Sequence, residues 1–364
     1  MTLIEINKAI IEDLSKERDS STYYKNHLQN LFKKCRDYIK NIDDPENLPE
    51  GLDKASLDKE LLRNTNALLK AYNSYSEGRL STAITIMRNR FLIEDITTFT
   101  IDSTQDWYRA RIIEKNGSGF KPKEMFHIPF EKRTEVVNYR FSISGYPCLY
   151  LGNTILSCWE EMNCPAPDNL VVSHIKVNSG STIKVMDLRI PDVSADLSNI
   201  EKTSEWKENN LRLLKTWPLI IACSNRRKTS KDPFKYEYIH PQLLMLALRE
   251  DKGSDIFGVA YTSTHIDQNM SSDTSKYTNI AIPVRMAKDK GYCQILSNIF
   301  SVSRGVSFME ANIKNVFDSS NNFHLDPDSG NLYINTYEDG SAPYEKTKFG
   351  QMESFLKTMV IQRL

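Results

Sequence analysis

The sequence contains none of the short motifs that identify the common nucleotide-binding and hydrolytic folds. GxGxxG and GxxxxGKS/T are both absent, so neither Rossmann nor P-loop nucleotide binding has support from a motif. GxSxG, HExxH and HxE…PCxxC are absent too, which removes motif support for serine hydrolases, zinc proteases and zinc deaminases. The chain also has no internal repeat, no low-complexity tract and no heptad array. Any catalytic chemistry must therefore come from a less common arrangement of residues.

Cysteine is scarce, and its spacing argues against disulfide and zinc frameworks. No two cysteines form a CxxC pair, and no cysteine–histidine cluster has zinc spacing. We therefore expect free thiols in a reducing cytoplasm. The six cysteines are Cys35, Cys148, Cys158, Cys164, Cys223 and Cys293.

Net charge and long apolar runs are lacking as well. The 47 basic side chains balance 47 acidic ones, which argues against a long-range positive field for nucleic acid. No apolar run is long enough to span a bilayer, and residues 1–14 lack the basic and apolar regions of a signal peptide. We expect a cytoplasmic protein with no membrane partner. The sequence has no direct nucleic-acid signature, and a local basic patch is the alternative that stays open. A length of 364 residues and 40% hydrophobic residues suit two domains with a sizeable core.

The first hundred residues have the apolar periodicity of helices. Apolar residues recur at three- and four-residue steps. One such face has Tyr24, Leu28, Leu31, Cys35 and Tyr38, and another has Leu80, Ile84, Met87 and Phe91. A loop rich in turn formers, at 41–51, lies between them. This region has no motif that indicates chemistry, so these faces are predicted to be packing surfaces.

From about residue 104 the pattern changes to short β-favouring runs separated by turn formers. The predicted strands are 148–151, 170–177, 182–188, 218–224, 256–263 and 279–284. Helices are predicted at about 154–163, 201–216 and 241–250, and at the C-terminus over 349–364. Because helices and strands do not alternate strictly, an α+β fold with a mixed or antiparallel sheet is predicted.

The segment WYRAR at 107–111 holds two arginines two residues apart. On a strand, Arg109 and Arg111 point to the same face. Two guanidinium groups on one face suit phosphate or pyrophosphate. A solvated or salt-bridged pair is the alternative, and from this motif alone it is favoured, since surface arginine is common.

A second segment runs from residue 124 to 162. Arg140 precedes a small turn that leads into the strand containing Tyr150, and Thr154 is a plausible N-cap for the next helix. That helix ends in the acidic pair Glu160 and Glu161, which would line a cleft mouth if it faces the sheet. Taken alone, the pair is better explained as two exposed helix positions.

The third segment, 235–265, predicts a helix from about residue 241 followed by a strand that ends near Ser263. No histidine–aspartate arrangement near Ser263 indicates an activated nucleophile. On its own, Ser263 is a serine that forms hydrogen bonds at a strand end.

Taken together and in this order, the three segments resemble the RES domain family, which is named for an arginine, a glutamate and a serine. The resemblance runs through YRAR, RFSISGYPCLYLGNTILSCWEE, YIHPQLLMLALR, GVAYTS and the asparagine in YTNIAIPV. It covers roughly residues 104–300. Its most specific piece is RFSxxGxPxLYL with a glutamate eleven positions after the tyrosine.

The resemblance implies positions for the functional residues. The family arginine, tyrosine, glutamate and serine fall on Arg109, Tyr150, Glu161 and Ser263. Arg111 is a close rival for the arginine, and Glu160 lies one position from the glutamate. Arg140 and Asn279 match further motif positions and, with Arg111 and Glu160, are predicted to bind substrate.

The resemblance also implies an activity. RES proteins are commonly toxins of bacterial toxin–antitoxin pairs, with a fold similar to ADP-ribosyltransferases, and they consume NAD+. An NAD+ phosphorylase or glycohydrolase is therefore expected, with NAD+ as substrate, inorganic phosphate as one candidate co-substrate, and no metal ion or cofactor. A carboxylate at Glu161 would stabilise the positive charge that develops on the ribose as nicotinamide leaves. Arg109 would hold phosphates, Tyr150 would stack on nicotinamide, and Ser263 would orient the sugar or the glutamate.

Two regions go beyond the compact RES pattern. We predict a helical accessory domain at 1–103, a RES catalytic domain at 104–300 and a C-terminal extension at 301–364 packed on it. An antitoxin or regulatory protein partner and a homo-oligomer are both compatible with this organisation. Two other functions are compatible with the same residues: ADP-ribosyl transfer to a macromolecule, and a non-catalytic RES fold that binds a nucleotide or a partner.

Overall fold

The computed structural model describes the chain except for residues 17–22, 93–95, 114–119, 194–199, 227–233, 252, 264–273, 287, 312–322, 326–331 and 336–340. Its helices are α1 (Leu3–Ser15), α2 (Tyr24–Lys40), α3 (Lys54–Ser76), α4 (Leu80–Phe91), α5 (Ile155–Glu161), α6 (Ser204–Ser224), α7 (Ile239–Glu250), α8 (Gln294–Ile299) and α9 (Lys348–Lys357). The predicted helical N-terminal region is therefore confirmed.

The strands begin after α4. They are β1 (Thr98–Ile101), β2 (Trp107–Ile112), β3 (Cys148–Gly152), β4 (Leu170–Val177), β5 (Ile183–Leu188), β6 (Ile256–Thr262), β7 (Thr278–Pro283), β8 (Phe300–Val302), β9 (Val306–Ser307), β10 (Phe323–Leu325), β11 (Leu332–Asn335), β12 (Ser341–Pro343) and β13 (Gln362–Arg363). The α+β class and five of the six predicted strands are confirmed.

The chain divides into two compact units that alternate along the sequence. Unit 1 contains Met1–Phe99, Asn138–Ile143 and Val185–Val259. Unit 2 contains Thr100–Val137, Ser144–Lys184 and Ala260–Leu364. The predicted domains, with limits at residues 103 and 300, are consecutive along the sequence, whereas these units are interleaved. The predicted domains stay a prediction.

Unit 1 is mainly helical. Helix α3 packs against α2, α4, α6 and α7, and its apolar stripe is buried there because these neighbours cover it. The predicted face of α2 is buried at four positions, whereas Tyr38 is half-buried and donates a hydrogen bond from its hydroxyl to Asp13 Oδ2 (2.8 Å). On α4 the predicted face is buried except at Leu80, which is 44% exposed at the first residue of the helix.

One predicted strand, 218–224, is wrong. These residues form the last two turns of α6, with Pro218 inside the helix. The run Leu219–Cys223 is buried at every position, and such a run has no period that distinguishes a buried strand from a buried helix. In unit 1, β5 lies between the first residues of β1 and the first residues of β6.

In unit 2 the strand order is β6-β7-β3-β2-β4-β8-β13, with β9 also beside β4. The pairings of β3 with β7, β2 with β3 and β4, and β8 with β4 and β13 are antiparallel. Gly152 lies opposite Tyr108 on one side and Asn279 on the other. Seven of the eight residues of β4 are buried, as in a strand covered on both faces.

The C-terminal segment only partly follows the prediction of a helix over 349–364. Helix α9 ends at Lys357, and Gln362 and Arg363 pair with β8 instead. The β-branched Val360 and Ile361 precede this pairing, and such residues favour strands over helices. Strands β10, β11 and β12 form a separate antiparallel sheet. None of the helices in the described part of the chain combines the length and the apolar character that a membrane crossing needs.

Candidate functional site

The turn from β3 into α5 places the predicted acidic pair. Asn153 exchanges two hydrogen bonds with Thr278: its backbone N–H donates to Thr278 O (2.9 Å), and its Oδ1 accepts from the Thr278 N–H (3.0 Å). Thr154 Oγ1 caps α5 by accepting from the Ser157 N–H (3.0 Å), as predicted, and it donates to Lys276 O (2.7 Å). These contacts fix the start of α5 against the segment that leads into β7.

Gly152 permits a close approach between β3 and α5. A Cβ atom at this position would lie 2.3 Å from Ser157 Oγ and 2.8 Å from Cys158 Sγ, closer than atoms can approach without displacement. Both side chains are buried, so they have little room to move. A residue with any side chain at position 152 would therefore push α5 away from the sheet.

We expect Gly152→Ala to destabilise the protein by about 1–3 kcal/mol, the usual cost of overpacking a buried contact. The measurement is the free energy of unfolding from a denaturant titration. Gly253→Ala is the matched control, because its new Cβ would lie 3.6 Å from Asp251 Oδ1, at ordinary contact distance. Equal stability of the two variants would show that α5 does not depend on this contact.

At its C-terminal end, α5 is tied to β7 through side chains. Asn279 Nδ2 donates to Glu161 Oε1 (3.1 Å), and Asn279 Oδ1 accepts from Ser157 Oγ (3.2 Å). Asn279 is buried, so these hydrogen bonds are shielded from water. Two residues that the sequence predicted separately, Glu161 and Asn279, are therefore in direct contact.

The neighbouring carboxyl group, Glu160, has a different environment. Its Oε2 is buried and has no hydrogen-bond partner in the structure. Burial, with a smaller contribution from the charge of Glu161, raises the pKa of Glu160 to about 7. Two adjacent carboxyl groups thus have different roles available to them: Glu161 is oriented by an amide, and Glu160 holds a proton near neutral pH.

Arg109 lies on β2 beside β3. Its Nη1 donates to the backbone O of Tyr150 (3.2 Å), while its Nε is buried and has no hydrogen-bond partner among the described residues. Burial, and then the charge of Arg111, lower the pKa of Arg109 to about 10. A partly buried guanidinium with a donor to spare favours an anionic ligand, which would supply the missing acceptor.

Arg111 contacts other groups, although it is only two residues away on the same strand. Its Nη1 donates to Glu124 O (2.9 Å), and its guanidinium lies over the ring of Phe120, 4.4 Å from the centroid. This cation–π contact holds the Arg111 side chain against the Phe120 ring. The two arginines that the sequence left as rivals therefore differ: Arg109 contacts the predicted site strand, and Arg111 contacts the segment around Phe120.

The Cys158 thiol connects the arginine with the glutamate. Cys158 is buried on α5 and donates from Sγ to Tyr108 O (3.3 Å). Burial raises its pKa to about 12, with Arg109 opposing the rise and Glu161 adding to it. The Cys158–Tyr108 hydrogen bond places α5, the helix of Glu161, beside β2, the strand of Arg109.

Ser263 follows β6 directly and is buried. Its backbone N–H donates to the O of Tyr277 (3.1 Å), which directly precedes β7 and lies two residues before Asn279. The prediction that Ser263 sits at a strand end is confirmed. Its catalytic role stays a prediction, as do those of Arg109, Tyr150 and Glu161.

Arg140 belongs to unit 1. Its Nη1 donates to Cys223 O and to Asn225 O, both at 3.0 Å, and its guanidinium lies over the ring of Tyr238 at 5.3 Å. These carbonyl groups are at the end of α6, where they lack partners within the helix. Arg140 thus caps a helix in unit 1, and its predicted contact with substrate stays a prediction.

Two residues of the C-terminal segment were not singled out from the sequence. Glu353 on α9 accepts hydrogen bonds at Oε1 from the Ile155 N–H (2.7 Å) and from the Tyr344 hydroxyl (2.5 Å). Glu353 is the one acidic residue of α9, which is a weak signal, because an acidic residue on a helix is usually solvated. In the described part of the chain, no three His, Cys, Asp or Glu side chains form a group that could hold a metal ion.

Comparison with known proteins gives one informative match. No family model matches the chain, and no solved structure matches it. The chain is 33% identical over 312 residues to the Bacillus subtilis (strain 168) protein described as "Putative toxin YopC", and the match covers 83% of this chain and 68% of that protein. With this identity over most of both chains, the protein belongs to the same family as YopC of Bacillus subtilis.

Proposed function

We propose that this chain is a toxin-like effector whose RES-type domain breaks the nicotinamide–ribose bond of NAD+. The observation that supports this most is a set of contacts: Arg109 donates to the backbone of Tyr150, Asn279 donates to Glu161, and α5, the helix of Glu161, lies beside the strand of Arg109. The description of the Bacillus subtilis relative as a toxin supports the biological role. These contacts support the chemistry, because they combine an anion-binding cation with an oriented carboxylate.

The chemistry needs few protein groups. Nicotinamide leaves C1 of the ribose with the electron pair of the broken bond. This pair neutralises the positive charge on the pyridinium nitrogen, so no general acid has to protonate the leaving nicotinamide. The ribose then carries developing positive charge, which an ionised Glu161 would stabilise. A phosphate oxygen or a water oxygen forms the new bond to C1, and in the case of water a proton is released to solvent.

The other site residues have roles that fit their positions. The unpartnered Nε of Arg109 would bind a phosphate oxygen of NAD+. Tyr150, half-buried on β3, would lie against the nicotinamide ring. Asn279 holds Glu161 so that the carboxylate keeps one orientation as the charge develops. Among the two acidic residues, this contact favours Glu161 as the group that faces the ribose.

The test is to incubate the purified protein with NAD+ and to follow nicotinamide release with and without inorganic phosphate. We expect release, with phosphorylated ADP-ribose as the product if phosphate is the acceptor and ADP-ribose if water is. Nicotinamide without either free product would indicate transfer to a macromolecule. Folded protein that releases no nicotinamide under either condition would overturn the proposal.

A further inference from the structure

Helix α9 holds the beginning of α5. The Glu353 carboxylate accepts the Ile155 N–H at 2.7 Å, and the same oxygen accepts the Tyr344 hydroxyl at 2.5 Å. Tyr344 is buried in the cluster that also contains Trp159 of α5 and Phe349 of α9, whose ring centroids lie 5.3 Å apart. The Glu353 hydrogen bonds are therefore part of a packed interface between α5 and α9, unlike a hydrogen bond between two exposed side chains.

The position of α5 determines the position of Glu161. The helix has seven residues, from Ile155 to Glu161, so its first residue and the candidate catalytic carboxylate are only about two turns apart. Glu353 contacts the first residue of the helix, whereas Asn279 contacts Ser157 in the first turn and Glu161 at the last residue. A shift at the first turn would therefore be transmitted to Glu161, and displacements near 1 Å at a catalytic group can cost about a hundredfold in rate.

Several ionisable groups face Glu353. The cations partly offset the cost of burying its carboxylate, but burial still raises the pKa of Glu353 to about 7. The groups that face it are Tyr344, Lys276, Lys357, Tyr108 and Cys158. Near neutral pH the carboxyl group thus changes between a charged acceptor, which binds both donors strongly, and a neutral one, which binds them less strongly.

The raised pKa has a consequence for stability. The folded state binds a proton more readily than the unfolded state, so this contribution to stability is present below the ordinary pKa and is lost as the pH rises through about 7. An ionised Glu353 at pH 8 therefore costs stability. The presence of an acidic residue at position 353 is therefore explained better by its hydrogen bond to the start of α5 than by a gain in folding free energy.

We propose that Glu353 is a positioning residue for Glu161, acting through the N-terminal turn of α5. This inference rests on the proposed function, because it assigns Glu353 a part in the same reaction. Glu353 lies in α9 and contacts the first residue of α5, whereas the Glu161–Asn279 contact is at its last residue, so Glu353 acts on the reaction by fixing where the helix starts. The ionised form holds the helix in the active position.

The experiment compares Glu353→Ala and Glu353→Gln in the full-length protein. The steady-state rate of nicotinamide release from NAD+ is measured from pH 6 to 8.5, with melting temperatures and amide hydrogen exchange of residues 155–161. Glu345→Gln is the matched control, because Glu345 is an exposed acid 4.0 Å from Lys276 that makes no contact with α5 in the described residues.

We expect Glu353→Ala to lower kcat by about 10- to 100-fold, with KM changed less than threefold and faster exchange in α5. Glu353→Gln keeps an acceptor oxygen for the Ile155 N–H but carries no charge. Its kcat should rise less through pH 7 than that of the wild type, with Glu160 still changing charge in this range, while its melting temperature at pH 8 equals or exceeds that of the wild type. A group with a structural role alone would lower stability and would leave the pH profile unchanged.

Two results would overturn the positioning role while the proposed function stands: wild-type kcat in Glu353→Ala, or a Glu353→Gln pH profile identical to that of the wild type. If the wild type releases no nicotinamide, the proposed function fails and the catalytic part of this inference fails with it. The exchange of residues 155–161 then decides whether Glu353 holds α5, because unchanged exchange in Glu353→Ala would refute that as well.

Discussion

Replacing Glu161 by glutamine should slow nicotinamide release by about 10²–10³-fold, the cost of removing one well-oriented electrostatic group from a transition state. The amide cannot stabilise the positive charge on the ribose as a carboxylate does. Asn279 can still donate to the amide oxygen, so α5 should keep its place and the melting temperature should change little. The measurement is kcat/KM for NAD+ at saturating phosphate.

Two companion variants make this result specific. Glu135→Gln, an exposed acid of unit 2, should retain wild-type kcat/KM. Glu160→Gln tests the register of the motif, because its carboxyl group is adjacent but has no contact with Asn279 among the hydrogen bonds of the described residues. A large loss in Glu160→Gln together with a small loss in Glu161→Gln would show that the assignment is wrong by one position.

The second large effect is expected from Arg109→Lys. Lysine keeps the positive charge but loses the planar set of donors that can contact two phosphate oxygens at once. It also loses the contact that Nη1 makes with Tyr150 O, which orients the guanidinium. We expect KM for NAD+ to rise by at least about tenfold, corresponding to about 1.4 kcal/mol of binding, with a smaller change in kcat.

Arg111→Lys is the control for Arg109→Lys. Arg111 donates one hydrogen bond, as Arg109 does, but to Glu124 O, and its guanidinium also lies over the Phe120 ring, which fixes its orientation away from the Tyr150 strand contact. Its substitution should change KM less than threefold. If KM rises in Arg111→Lys and stays unchanged in Arg109→Lys, the phosphate-binding role belongs to Arg111 and the family arginine is misassigned.

The fold class and most of the sheet could be predicted from the sequence, because their signals are local. Strand β3 has its turn formers directly after it, and Thr154 is a recognisable N-cap, so β3 and α5 were placed within two residues of their observed ends. The run 218–224 had no such signal. Its buried residues are equally compatible with a strand, and only packing in unit 1 made it part of α6.

The residues of the candidate site also differ in how far the sequence could predict them. Glu161 and Asn279 are 118 residues apart, and spacing alone could not pair them; the family resemblance named both, and the structure shows their hydrogen bond. Glu353 and its contact with Ile155 had no motif at all, because the contact involves a backbone N–H that any residue provides. Arg140 matched a motif position, but its described partners are the carbonyl groups of a helix end in unit 1.

The hydrogen bond between Ile155 and Glu353 joins residues that are 198 positions apart. A ribosome completes α5 long before it makes α9, so the growing chain carries the acidic pair without its support. Contacts of such separation form late, because the loop between them must first be closed. If α9 positions Glu161, then the nascent protein acquires full activity only after residue 353 has been made and docked.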